Sequence, residues 1–440
     1  MSPRVSSAPV FPSDRPSGPG IPAADLRPGD ADAPGGMRVL RPRRAAPADA
    51  VRPTRAEVNL AHLRHNLRVI ERSLASPGGA PAAQIWGVLK ADAYGHGAAA
   101  VARTLERAGI SGLCVALLEE AVELRAAGIR APILVMGGLY GLRRDGIEEL
   151  LANDLTPVVY DAGQIERIAA FARSEAGTVV RVHLKVDTGM GRLGVSPGEL
   201  DSVLEALARH PEVRLDGLMT QFACADAPDL QVTREQLRAF AAIEHKAAKA
   251  GLAPRVKHAA NSAATLRLPE ARFDIVRPGI AIFGVSPFGG ADAGDAGTAA
   301  HELKPVMRVR SEVMSLRTIA TGEAIGYGHT WRAARPSRIA TVPMGYADGL
   351  SRQLGNRGAA LVRGKRAPIV GAVSMDLTLL DVTDVPGAQL GDEAVFLGAQ
   401  EGPLGRDVLG AAEVAETVGS IPWEVLTNIS RRVPRFYREP

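Results

Sequence analysis

Cysteine is almost absent: Cys114 and Cys224 are the only two in 440 residues. That excludes a scaffold stapled by several disulfides. Both lie in strongly apolar stretches, so two reduced core thiols in a cytoplasmic protein are expected, with a single disulfide as the lesser alternative. Long hydrophobic runs are missing too. No segment approaches the ~20 apolar residues that a membrane helix needs, and the opening segment has no apolar stretch long enough for a signal-peptide core. That segment is rich in Pro, Gly, Ala and Asp, has Phe11 as its one aromatic residue, and reads as a disordered extension over 1–53, within which Met37 offers an alternative start.

A charge excess is lacking where it would matter. The net charge of +4 traces to the extension: residues 1–55 hold nine Arg and no Lys against five Asp and no Glu, which leaves 43 basic and 43 acidic residues in the rest. A formally neutral body has no basic footprint for nucleic acid. Neither nucleic acid nor a membrane is expected as a partner, and no metal is expected.

What is present is a composition able to bury a sizeable core, 46% hydrophobic and 23% charged, over a length suited to roughly two or three domains. From Ile85 onward, apolar runs alternate with amphipathic stretches. The predicted strands are IWGVLK, GLCVAL, PILVMG, TPVVY, VVRVHLKVD, RLDGLMTQF, RVKHAAN and FDIVRPG, with helices such as AAAVARTLERAG and LEEAVELRAAG between them. About eight such units predict a closed (β/α)8 barrel over 54–298. An open doubly wound sheet is the runner-up, but no glycine-rich dinucleotide fingerprint follows the first strand. Beyond Gly297 the pattern turns to short strands separated by Gly, Pro and Asp, predicting a mainly β domain over 299–440, with a short helix at GRDVLGAAEVAETVG.

Barrel enzymes place their chemistry at the C-terminal ends of the strands. The polar residues there are Lys90, Lys185 with Asp187, Gln221, His258 with Asn261, and Arg277. Each alone reads equally as a solvated charge or a locally satisfied side chain; their placement on one rim is harder to dismiss. In VLKADAYGHG an apolar strand delivers the Lys90 amine into a turn, and an amine that must condense with a carbonyl has to be desolvated yet reachable. ANSAATL and RPGIAIFG supply loops after the last two strands, a common phosphate cradle. Helix capping by Ser262 and a plain turn at Gly279 remain the alternatives. A lysine beside such a cradle suggests a phosphorylated aldehyde cofactor.

VLKADAYGHG, HLKVDTGMGRLG, ANSAATL, DIVRPGIAIFG, IGYGHTW, VPMGYADG, VGAVSMDLT and ISRRVPR resemble, in order and spacing, the signature segments of bacterial alanine racemases over about residues 54–440. The resemblance implies pyridoxal 5'-phosphate (PLP), a barrel followed by a β domain, and a homodimer with active sites shared between subunits. It implies that Lys90 binds PLP and is one base, with Tyr327 the base on the opposite face from the other subunit. Arg192 would contact the cofactor's phenolic oxygen and the substrate carboxylate. Met375, with Asp376, would also bind substrate, and Tyr346 would narrow the entrance. Arg277 would face the pyridine nitrogen, His258 would count among the cofactor-binding residues, and Tyr94, Ser262, Gly279 and Ile280 would bind the phosphate. Lys185 matches a lysine that is carbamylated in some members.

The implied function is interconversion of L- and D-alanine, supplying D-alanine for peptidoglycan, with a broad-specificity amino-acid racemase as the alternative. Two positions depart from the family pattern. Gln221 replaces a common histidine, and can donate and accept but not titrate. Arg431 replaces a tyrosine, and reads either as a phosphate ligand or as a solvated charge. Two rivals fit less well. A decarboxylase or aldolase has no use for Tyr327 as a second base, and a PLP carrier has no use for a β domain bearing Tyr327, Tyr346 and Met375.

Overall fold

The computed structural model describes residues 50–75, 82–139, 146–175, 178–288 and 297–439. Apart from residues 50–53, the extension expected over 1–53 lies outside the described residues, as does Met37. The strand β1 (Arg55–Asn59) comes first. It is followed by the helix Leu60–Leu74, which buries Leu60, Leu63, Leu67, Ile70 and Leu74 on one stripe and is capped by Asn59 Oδ1, which accepts from the N–H groups of Ala61 and His62.

The eight apolar runs form eight parallel strands in the expected order: β2 (Gln84–Val88), β3 (Gly112–Val115), β4 (Ile133–Val135), β5 (Thr156–Val159), β6 (Val180–Lys185), β7 (Val213–Met219), β8 (Val256–His258) and β9 (Ile275–Val276). Helices over Ala98–Arg107 and Leu118–Ala126 stand where AAAVARTLERAG and LEEAVELRAAG place them. Continuous rather than alternating hydrophobicity is what a sheet covered on both faces requires, and Leu113, Cys114, Val115, Leu134 and Val158 have no exposed surface. The sheet runs from β8 through β2 to β9. Its seam is drawn together by Asp274 N–H to Lys257 O at 3.1 Å and Arg277 N–H to Ala260 O at 2.9 Å. Both cysteines are free thiols, Cys114 buried and Cys224 half-buried.

The C-terminal half is mainly β, as expected. Its strands are β10 (Met307–Glu312), β11 (Ser315–Ile319), β12 (Ala324–Ile325), β13 (Trp331–Arg332), β14 (Ser337–Val342), β15 (Ala359–Val362), β16 (Lys365–Pro368), β17 (Thr378–Asp381), β18 (Glu393–Gly402), β19 (Gly405–Leu409) and β20 (Arg435–Arg438). One sheet has the order β16-β15-β18-β10-β1-β20, with β19 paired to β18. So β1, although within the span expected for the barrel, belongs to this sheet, antiparallel to β10 and parallel to β20. Glu57 on β1 is 4% exposed and pairs with Arg308 and Arg310 of β10 and Arg438 of β20, a register lock that composition does not reveal. The helix expected over GRDVLGAAEVAETVG covers only Ala411–Val418, because residues 405–409 return along β18 as a hairpin strand. A further helix, Pro422–Thr427, follows where the sequence pattern predicts none.

Among the described residues, no helix is long and apolar enough to cross a membrane, and no group of three or more His, Cys, Asp or Glu could hold a metal ion.

Candidate active site

Lys90 follows the end of β2, and the next four residues, Ala91, Asp92, Ala93 and Tyr94, all have φ between 51° and 56°. Left-handed backbone costs a non-glycine residue roughly 1–2 kcal/mol, so this turn needs outside support. Glu120 supplies it. One carboxylate oxygen accepts from Ala91 N–H at 2.6 Å, and the other from Ala116 N–H at 2.9 Å and Leu117 N–H at 3.1 Å, clasping the loop after β2 to the loop after β3. Asp92 Oδ1 accepts from Ala98 N–H at 2.7 Å, and the buried Arg435 of β20 donates from Nε to Gly95 O at 2.9 Å. Glu120→Ala should lower unfolding stability by about 1–3 kcal/mol, because it removes three hydrogen bonds to a charged carboxylate. Urea unfolding checks this against Glu120→Gln, which keeps an acceptor for Ala91; equal losses in the two variants would refute the clasp.

The turn places Lys90 in a cavity of about 470 Å³, lined also by Tyr94, Lys185, Arg192, Gln221 and Arg277. Ser262, Gly279 and Ile280 complete one end of it. Burial holds the Lys90 pKa below the ordinary lysine value, helped by the Arg192 charge and opposed by Glu120. Burial, with the Arg192 and Arg277 charges, likewise brings Lys185 down to about 8. Asp187 shapes the loop that carries Arg192, its carboxylate accepting from the N–H groups of Gly189, Met190 and Gly191.

At the cradle end, Ser262 Oγ accepts from Gly279 N–H at 2.9 Å and Ala281 N–H at 3.3 Å. Between them, Ile280 N–H has no hydrogen-bond acceptor among the described residues. Tyr94 reaches over Gly279 so closely that a Cβ there would lie 2.3 Å from the phenol oxygen. A spare backbone donor, a hydroxyl and a phenol around a bare glycine fit an anionic group.

Arg277 is 3% exposed, and burial lowers its pKa to about 10. Its Nη2 donates to Thr220 O at 2.8 Å, to Ala259 O at 3.2 Å and to Gln221 Oε1 at 3.2 Å. Its Nη1 donates to His258 Nδ1 at 2.7 Å. His258, expected among the cofactor-binding residues, is fully buried and does not line the cavity. It stands behind Arg277, because the strand end that carries it points into the barrel core.

Four expected residues are not brought to Lys90 within the chain. Tyr327, Tyr346 and Met375 are 73%, 42% and 53% exposed, and neither they nor Asp376 line the cavity. They lie in the C-terminal half on tied loops: Tyr346 N–H donates to Ser374 O and Ala347 N–H to Met375 O, both at 3.0 Å. Asp348, wholly buried, anchors that turn through Arg52 at 2.6 Å and Arg432 at 2.9 Å. Asp376 is itself engaged by Arg432 at 2.6 Å.

Sequence models of the alanine racemase N-terminal and C-terminal domains match residues 58–287 and 306–437. The chain belongs to the alanine racemase family. It is 71% identical over 390 residues to the alanine racemase of Sorangium cellulosum (strain So ce56), covering 89% of this chain and 100% of that protein. It is 42% identical over 378 residues to the alanine racemase of Syntrophobacter fumaroxidans, covering 85% and 95%. Among solved structures, the alanine racemase of D-cycloserine-producing Streptomyces lavendulae superposes with a TM-score of 0.78 at 35% identity, covering 91% of this chain and 98% of that one. That of Bacillus anthracis with bound L-Ala-P gives 0.79 at 34%, covering 89% and 96%.

As an alanine racemase the protein is an isomerase. Several residues of this candidate site carry little sequence signal. Trp423 lines the Lys90 cavity from the helix Pro422–Thr427, Glu120 carries no local motif, and Arg435 ends the ISRRVPR segment without any local sign that it supports the Lys90 turn. Arg431 lies on a separate cavity of about 350 Å³ beside Ala91, Asp92 and Glu120, not on the Lys90 cavity. Gln221 lines the Lys90 cavity and accepts from Arg277, so the departure from histidine keeps a polar contact there.

Proposed function

We propose that this alanine racemase interconverts L- and D-alanine by two-base proton transfer with PLP held on Lys90, acting as a cytoplasmic homodimer that supplies D-alanine for peptidoglycan. The observation that carries this reading is the single cavity that joins a lysine of lowered pKa, a cradle with a spare donor, and the buried Arg277. Tyr94, Ser262, Gly279 and Ile280 would hold the phosphate, and Arg277 would face the pyridine nitrogen. PLP, when bound, supplies electron withdrawal from the substrate α-carbon.

The chain's own residues do the rest. The Lys90 side chain takes the α-proton on one face as the amine and returns it as the ammonium, and Tyr327 of the partner subunit serves the other face. Arg192 holds the substrate carboxylate, aided by the partner's Met375 and Asp376, while the partner's Tyr346 narrows the entrance. Arg277 has only donors and keeps its proton, so it would offer the pyridine nitrogen a hydrogen bond rather than a full positive charge. That restrains side reactions such as transamination.

The purified holoenzyme should become covalently labelled on Lys90 after borohydride reduction. Peptide mapping that finds the phosphopyridoxyl group on Lys185 instead would overturn the site assignment. Lys185 is assigned a separate role, as a carbamate that accepts hydrogen bonds from Arg192. Only the neutral amine captures CO₂, so with a pKa of about 8 the carbamate should build up as pH rises through 8. A ¹³C-bicarbonate NMR signal that is absent, or that survives Lys185→Met, would exclude it.

A further inference from the structure

We propose that His183 is a positioning residue that sets the tautomer of His258 and thereby the seat of Arg277. The proposal rests on the reading that Arg277 faces the cofactor ring. His183 on β6 and His258 at the end of β8 are 2% and 0% exposed. Their rings meet with His183 Nδ1 and His258 Nε2 2.8 Å apart, and the opposite nitrogen of His258 lies 2.7 Å from Arg277 Nη1.

The direction of this chain follows from donor counting. A guanidinium has donors and no acceptor, so His258 Nδ1 must carry a lone pair. Burial and the neighbouring Arg277 charge disfavour the cationic ring, so the one proton of His258 resides on Nε2. That proton needs an acceptor, which only a lone pair on His183 Nδ1 supplies; the other tautomer of His183 would set two N–H groups against each other at 2.8 Å. Burial also holds the His183 pKa to about 4, opposed by Asp216 and assisted by Arg277 and Arg255, so its proton lies on Nε2. Two neutral rings thus present their acceptor sides toward Arg277. Every hydrogen-bond acceptor recorded for Arg277 is then uncharged, while its Nε has no acceptor among the described residues.

The barrel wall is cut to hold His183. A Cβ on Gly217 of β7 would lie 2.6 Å from both Cγ and Nδ1 of that ring. On another side the Trp86 ring centroid is 5.9 Å away at 33°. A slot this close fixes ring position, and ring position fixes which nitrogen meets His258.

The test uses the full-length chain labelled with ¹⁵N-histidine, freed of cofactor, then titrated with PLP. In wild type, His258 should show an unprotonated Nδ1 and a protonated Nε2. His183→Phe keeps a ring but removes the acceptor, so His258 should shift toward the other tautomer and PLP affinity should fall about tenfold. His183→Asn, whose Oδ1 can take the place of Nδ1, should restore both. A protonated Nδ1 on His258 in wild type overturns the proposal whether or not the variants fold. So does an unchanged His258 tautomer in His183→Phe, or equal loss of PLP in both variants with the tautomer intact, which would make His183 packing alone. The expected tautomers in a protein that binds no PLP would support the histidine chain and refute the cofactor reading, which keeps the two failures apart.

Discussion

A hybrid dimer of one Lys90→Ala chain and one Tyr327→Ala chain should keep close to half of wild-type activity, although each mutant homodimer should fall by about 10² to 10⁴. The expectation comes from where the chain puts its two proposed bases. Lys90 lines the barrel cavity, whereas Tyr327 is 73% exposed and does not. A site completed by a second subunit gives the hybrid one pocket with both lesions and one with neither. Were the site built within a single chain, every pocket in the hybrid would carry one lesion and activity would stay at the level of the parents. Co-expression with two tags, double purification and a racemisation assay decide between these outcomes.

Gly279→Val should weaken PLP binding by about 10- to 100-fold, the equivalent of roughly 1–3 kcal/mol of overpacking. A Cβ at this position would stand 2.3 Å from Tyr94 Oη and 3.0 Å from Cζ. Tyr94 has little freedom to yield, since it is 5% exposed and its ring packs against Phe283 at 5.0 Å. Gly198→Ala is the control, because nothing lies within 4 Å of a Cβ there. Cofactor titration of the two apoproteins checks the prediction; equal affinities would mean that the cradle is not where the phosphate binds.

Much of the fold and part of the site were legible in advance because each signal was local. A parallel strand buried on both faces writes itself as an unbroken apolar run, and GLCVAL and PILVMG became β3 and β4 for that reason. Lys90, Lys185, Gln221 and Arg277 were legible because a barrel gathers its strand ends on one rim. The misplaced start of the helix at 405–418 has the opposite cause: Gly405–Leu409 is a strand only because β18 lies beside it. His183 sits inside an apolar run that reads as plain strand, although a histidine in a strand covered on both faces is itself a signal that a polar partner is buried nearby.

The sequence alone determined the order of strands, the change from barrel to β region, the rim residues and the family resemblance, since periodicity and motifs belong to neighbouring residues. Tertiary structure decided what depends on distance across the chain. It took β1 out of the barrel span and locked it between β10 and β20 through Glu57. It set His258 behind Arg277 rather than in the cavity, and brought Glu120, from the first turn of the helix after β3, to support a left-handed turn that no local preference would hold. It also left Tyr327, Tyr346 and Met375 away from Lys90. The physical reason is the same in each case: a hydrogen-bond donor or acceptor is satisfied by whatever lies within about 3 Å of it, and only the folded chain decides what that is.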